Sequence, residues 1–186
     1  MFELKRKLIH FVGLSVPVLY WLTSREVTLW FVGVAVMCAL VIEIIRLKWE
    51  KANTVVFSMV GWVTRTHEQK KVTGATYFAI AAFLAVFLFS EREAVCSLLF
   101  LTLGDSSAAL IGTRYGRHKI CEKSVEGSTA CFVVCSLVGY LLLGWVGIVG
   151  ALAATVIELV PLPVDDNLRI PLVSGGLMHV VQVLLI

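Results

Sequence analysis

Three short polar clusters interrupt an apolar chain, and each is built from residue types that handle phosphate or metal. The last of them runs Glu158-Leu159-Val160-Pro161-Leu162-Pro163-Val164-Asp165-Asp166-Asn167-Leu168-Arg169-Ile170-Pro171. Two adjacent acids followed by Asn, pinned by prolines, make a rigid loop rich in hard oxygen donors. Mg2+ takes such donors together with substrate phosphates. A simple polar turn is the competing reading, and the other two clusters weigh against it.

The middle cluster begins at Gly104-Asp105-Ser106-Ser107 and continues through Gly112-Thr113-Arg114-Tyr115-Gly116-Arg117 and Lys119 to Lys123-Ser124-Val125-Glu126-Gly127-Ser128. A helix that starts at Gly127 and Ser128 offers backbone N–H groups to an anion, and Lys119 and Lys123 add positive charge. No G-x-x-x-x-G-K-[ST] phosphate loop is present. Gly112-x-x-x-Gly116 on its own reads as helix packing. The first cluster, Arg6-Lys7-Leu8-Ile9-His10, places three potential phosphate donors within one helical turn.

The elements that must position these residues follow from composition. Of 186 residues, 59% are hydrophobic and 16% charged, with mean hydropathy +0.90. A soluble domain of this size has nowhere to bury so much apolar side chain. This excludes an ordinary soluble enzyme, a secreted disulfide scaffold and a disordered chain. The uncharged or nearly uncharged runs predict seven membrane helices near 8–24, 27–45, 72–90, 94–113, 127–143, 146–160 and 170–186. Period-2 alternation is missing, so the expected class is an all-α integral membrane protein rather than a β-barrel. It reads as one domain over 1–186 with no internal repeat.

Basic residues orient it. With the N-terminus inside, Lys5, Arg6, Lys7, Arg46, Lys48, Lys51, Arg65, Lys70, Lys71, Arg114, Arg117, Lys119, Lys123 and Arg169 lie on the inner side, 14 against Arg25 and Arg92 outside. The C-terminus is then outside, and all three clusters belong to the cytoplasmic face of the cell inner membrane or its equivalent. Anionic lipid and nucleotide phosphate account for the basic face, and nucleic acid is not needed. Lys5–Lys7 lead into a span without a cleavage-site pattern.

Asp105 lies eight residues before Thr113, about 12 Å along a helix. A carboxylate at that depth costs at least ~2.5–3.5 kcal/mol to insert, so a partner or a metal is expected. Glu43 could be functional or structural. Residues 48–71 read equally as an interfacial helix or a solvated linker. Cys38, Cys96, Cys121, Cys131 and Cys135 form no CxxC pair and read as packing. His179 and Gln182, in the last helix, read as hydrogen-bonded packing residues.

Arg6-Lys7-x-x-His10, Gly104-Asp105 with Ala108 and Gly112, Lys123-Ser-x-Glu126-Gly127-Ser128, and Glu158-x-x-Pro161-x-x-Asp165-Asp166-Asn167-Leu168-x-x-Pro171-Leu172 occur in that order. The ordered set resembles the CTP-dependent polyprenol and diacylglycerol kinase family, which includes dolichol, phytol and farnesol kinases, over residues 5 to about 175. Larger members carry additional N-terminal spans, so this chain resembles a minimal catalytic core. The resemblance implies transfer of the CTP γ-phosphoryl group to the hydroxyl of a membrane lipid alcohol, with Mg2+. On that reading Asp105, Asp165 and Asp166, with Glu126 and Glu158, are the metal ligands. Arg6, Lys7, Lys119, Lys123, Gly112, Gly127, Ser128 and Asn167 bind the nucleotide. A carboxylate of Asp165–Asp166, or His10, orients the lipid hydroxyl. The acceptor lipid and the oligomeric state stay open, a homo-oligomer among the choices.

Two rival functions are distinguishable. A cytidylyltransferase acting on a lipid phosphate would release pyrophosphate, but the long C-terminal signature of phosphatidate cytidylyltransferases is not found. A small transporter with an intramembrane acid would be expected to line the outer halves of its spans with polar residues, and few are there.

Overall fold

Away from water, an apolar chain can satisfy its own N–H and C=O groups within a single segment only as a helix. In the computed structural model, which describes residues 11–61, 64, 66–120 and 123–185, nine α-helices form among the described residues. They are α1 (Ser15–Leu22), entered through a 3-10 turn at Phe11–Leu14, α2 (Arg25–Lys48), α3 (Glu50–Val60), α4 (Gly74–Leu88), α5 (Glu91–Leu99), α6 (Ser106–Tyr115), α7 (Val125–Leu143), α8 (Trp145–Leu159) and α9 (Asp166–Val183). A π-helical segment, Phe100–Asp105, joins α5 to α6 in one continuous helix, Glu91–Tyr115.

Three helices, Arg25–Lys48, Glu91–Tyr115 and Val125–Leu143, are long and apolar enough to cross a membrane, and Val12–Leu22, Gly74–Leu88 and Trp145–Leu159 are shorter apolar helices. Residues 48–71 contain α3, no residue of which is fully buried.

Two features depart from the expected pattern. A ribbon of β1 (Lys119–Ile120) and β2 (Lys123–Ser124) pairs Lys119 with Ser124 and Ile120 with Lys123. It is too short to leave a periodic signal. The last helix begins at Asp166 rather than 170, because the Asp165 carboxylate accepts from the Asn167 N–H at 2.9 Å and caps it. Asp165 and Asp166 therefore occupy an N-cap and a first helical turn, not a free loop. Other starts are built the same way. Ser124 accepts from the Gly127 N–H at 3.1 Å and begins α7. Ser90 and Glu93 form a capping box on α5.

The centre of the molecule is α5 and the π segment. On one side Phe100 and Leu101 pack with Cys131, Cys135, Ala151, Ala154, Ile170 and Met178. On the other, Ala94, Val95 and Leu98 pack with Val16, Tyr20, Val32, Ala82, Ala85 and Val86. The small residues at these crossings let backbones approach closely, which is how helices gain contact where lipid gives no hydrophobic drive. On the side opposite the polar clusters, Glu93, 1% exposed, meets His179 Nδ1 at 3.0 Å. His179 is thus a hydrogen-bonded packing residue, as expected.

Candidate active site

Lys123 collects the acids. Its ribbon position alternates with Ser124, so Ser124 turns inward to cap α7 while the Lys123 ammonium reaches across to α8 and α9. There Nζ pairs with Glu158 Oε1 at 2.7 Å and with Asp166 Oδ2 at 3.2 Å, and donates to the Glu158 carbonyl. Glu158, on the last turn of α8, is 3% exposed, and its second oxygen accepts from Ser128 Oγ at 3.4 Å. The second oxygen of Asp166 pairs with Arg169, one turn along α9, which also donates to the Val160 carbonyl at 3.0 Å. Asp105, at the end of the π segment, is buried, and its charge acts on Lys123. Burial of Lys123 opposes its charged form, but Asp166, Glu158 and Asp105 outweigh burial and hold it above the ordinary lysine range.

Lys123, Ser128, Glu158 and Asp166 thus form one charged centre from four elements, and the charge of buried Asp105 acts on it. Asp165 and Asn167 adjoin it on α9. Asn167 is buried against the start of α4, where a Cβ on Gly74 would lie 2.7 Å from Asn167 Nδ2. Gly112 and Gly127 let α6 cross α7. A Cβ on Gly127 would lie 2.7 Å from the Ala108 carbonyl and 3.2 Å from the Gly112 Cα. The Gly127 N–H is taken by Ser124.

Two other expected residues lie apart from this centre. Glu126 turns to His118, accepting from its backbone N–H at 3.2 Å and meeting its Nδ1 at 2.8 Å. Lys119 is exposed, and the ribbon register puts it on the face opposite Lys123. Arg6, Lys7 and His10 lie outside the described residues.

Among the described residues, no group of three or more His, Cys, Asp or Glu side chains is arranged to hold a metal ion. Mg2+ asks for less, one or two carboxylates plus substrate phosphates. Glu158 and Asp166, whose oxygens meet on a single ammonium, supply a donor set of that kind.

Arg169 is the site residue that sequence reasoning missed. The signal was its i,i+3 spacing from Asp166, visible only once 166 is read as helical. Glu43 resolves as structural. Its Oε1 accepts from the Thr73 N–H at 2.9 Å, Thr73 Oγ1 at 2.7 Å and Thr76 Oγ1 at 3.0 Å, at the start of α4. It also pairs with Arg46, which is 1% exposed and donates to the carbonyls of Glu68 and Lys71.

No family model matches the chain, and no solved structure does. An uncharacterised protein of Rickettsia prowazekii is 28% identical over 184 residues, 92% of this chain and 90% of that protein. A protein named CTP-dependent diacylglycerol kinase 1, from Schizosaccharomyces pombe, is 25% identical over 162 residues, 75% of this chain and 74% of its own. A probable phytol kinase of Zea mays is 30% identical over 141 residues, 63% of this chain, and the match spans only 46% of the maize protein. The chain is a relative of proteins named CTP-dependent diacylglycerol kinase and phytol kinase, the family its ordered motifs resemble.

Proposed function

We propose that the protein is a CTP-dependent lipid kinase, an integral membrane phosphotransferase that moves the γ-phosphoryl group of CTP to the hydroxyl of a membrane lipid alcohol. The observation that carries this reading is the meeting of Lys123 with Glu158 and Asp166, contributed by separate elements of a largely apolar helical chain. The names of its relatives supply the donor and the lipid class. On this reading seven helices span the membrane, and the charged centre lies on the cytoplasmic face.

Phosphoryl transfer asks a protein for positioning and for charge aimed at the phosphates, with little covalent work of its own. Lys123 supplies the cation for the transferring group. Ser128 and Arg169 orient Glu158 and Asp166, the acids that would hold Mg2+ with Asp105. An Mg2+ ion held by these acids would supply positive charge against the negative charge that develops on the phosphates. Asp165 fixes the start of α9 and, with it, the direction of Asp166. A hydroxyl arriving sideways from the bilayer would meet Asp105, which lies inside a continuous apolar helix rather than in a loop.

The direct test is purified protein in lipid nanodiscs with γ-labelled CTP, Mg2+ and a panel of diacylglycerol, isoprenols and a long polyprenol. Label moving to one lipid, with CDP formed in step, is the expected result. Pyrophosphate release with a CDP-lipid, or no labelled lipid from any acceptor, would overturn the reading.

A further inference from the structure

Each oxygen of the two acids bridged by Lys123 has a partner. Glu158 Oε1 and Asp166 Oδ2 are held by the Lys123 ammonium at 2.7 and 3.2 Å. Glu158 Oε2 accepts from Ser128, and Asp166 Oδ1 pairs with Arg169. A third contact, to the Glu158 main-chain carbonyl, fixes the ammonium between the two side chains. Glu158 is 3% exposed, so it is a carboxylate with little water to fall back on if its cation leaves.

From this geometry we infer that Lys123 and a divalent cation compete for the same pair of carboxylates, so that Lys123 keeps the metal affinity of the free protein low. A divalent ion approaching Glu158 and Asp166 must displace a positive charge already hydrogen-bonded to both. That displacement is costly unless the ammonium gains another anion. The phosphates of a nucleotide are such an anion, carrying their own divalent ion. Metal and nucleotide then load together, with Lys123 moving from carboxylate to phosphate. No covalent step is involved. The inference rests on the lipid-kinase reading for the identity of the incoming ion, but the competition is a property of these three side chains alone.

The test uses the full chain in nanodiscs, with Mn2+ as the probe and neither nucleotide nor lipid alcohol present. Free Mn2+ is counted by electron paramagnetic resonance. Lys123→Met should bind Mn2+ about tenfold more tightly than wild type or more, as expected when a neighbouring like charge is removed from a partly solvated site. Lys123→Arg, which keeps the charge, should not. Equal affinity in wild type and Lys123→Met would overturn the inference. A second measurement needs no variant. Acetylation of wild-type Lys123 by acetic anhydride, followed by mass spectrometry, should quicken when Mn2+ is raised into the millimolar range, because the ammonium is released. Exposed Lys119 on the opposite ribbon face is the internal reference. An unchanged Lys123-to-Lys119 ratio would overturn the inference as well. Neither assay contains CTP, so failure here leaves the kinase reading to the lipid-labelling assay, and failure there leaves the competition intact.

Discussion

Gly74 and Asn167 lie so close that a single methyl group would not fit between them: a Cβ on Gly74 would be 2.7 Å from Asn167 Nδ2 and 3.3 Å from Glu68 Oε1. The start of α4 therefore packs directly against the first turn of α9, next to Asp166. Gly74→Ala should push Asn167 out of place and cost about 1–3 kcal/mol, the usual range for overpacking. The apparent KM for CTP should rise. Gly176→Ala, on α9 with Asn167, is the control, since its Cβ would meet only Phe89 Cζ, at 4.0 Å. Steady-state kinetics beside thermal unfolding checks both, and a normal CTP dependence in Gly74→Ala would remove Asn167 from the nucleotide site.

Arg46 should matter to folding rather than to nucleotide. It pairs with Glu43, donates to the Glu68 and Lys71 carbonyls, and lies over the Phe57 ring at 5.4 Å, all while 1% exposed. Arg46→Met leaves Glu43 buried beside three hydrogen-bond donors but without its cation. Breaking a buried pair from one side costs about 3–5 kcal/mol. Melting in detergent should drop accordingly, with the CTP dependence of the folded fraction unchanged.

The helices were legible because runs without charge are long, and six of the expected segments return among the described residues as apolar helices, three of them long enough to cross a membrane. Lys123, Glu158 and Asp166 were legible as residue types, and their meeting across 43 positions follows only from the helix packing. The first turn of α9 was not legible from uncharged runs. Asp166 and Arg169 neutralise each other on one helical face, so a charged stretch is helical where the run criterion predicts loop. The Glu43–Arg46 knot is written in an i,i+3 spacing, but its carbonyl acceptors 22 and 25 residues away are not. The β ribbon pairs two residues with two and leaves no periodicity to read.

The pH dependence of stability has a definite sign at Lys123. Its folded-state pKa is raised, since Asp166, Glu158 and Asp105 outweigh burial. Its stabilising contribution is complete at and below the ordinary lysine value of about 10.4 and is lost as pH climbs through the higher folded-state value. The difference in Tm between wild type and Lys123→Met should hold level between about pH 7 and pH 9 and shrink as pH climbs past the ordinary lysine value of about 10.4. A difference that shrinks on acidification instead would show that the acids, not the ammonium, set the balance.

Asp105 gives the sharpest prediction. It closes the π-helical segment of a continuous apolar helix, is 9% exposed, and its charge helps to hold Lys123 protonated. π segments inside α-helices are frequent at functional sites because they re-aim one side chain without breaking the helix. Asp105→Asn keeps the volume and removes the charge. If Asp105 serves the metal and the transferring phosphoryl group, the rate should fall by more than ~10²-fold, several kcal/mol of transition-state stabilisation. The fold should survive, since an amide in place of a buried charge relieves a desolvation cost within an apolar helix. Activity and thermal stability should therefore separate in this variant, in contrast to Arg46→Met, where stability falls first. Near-wild-type phosphorylation by Asp105→Asn at limiting Mg2+ would show that the carboxylate is not a metal contact. Unfolding of the variant would make Asp105 a structural partner of Lys123, and the catalytic acids would then be sought on α8 and α9.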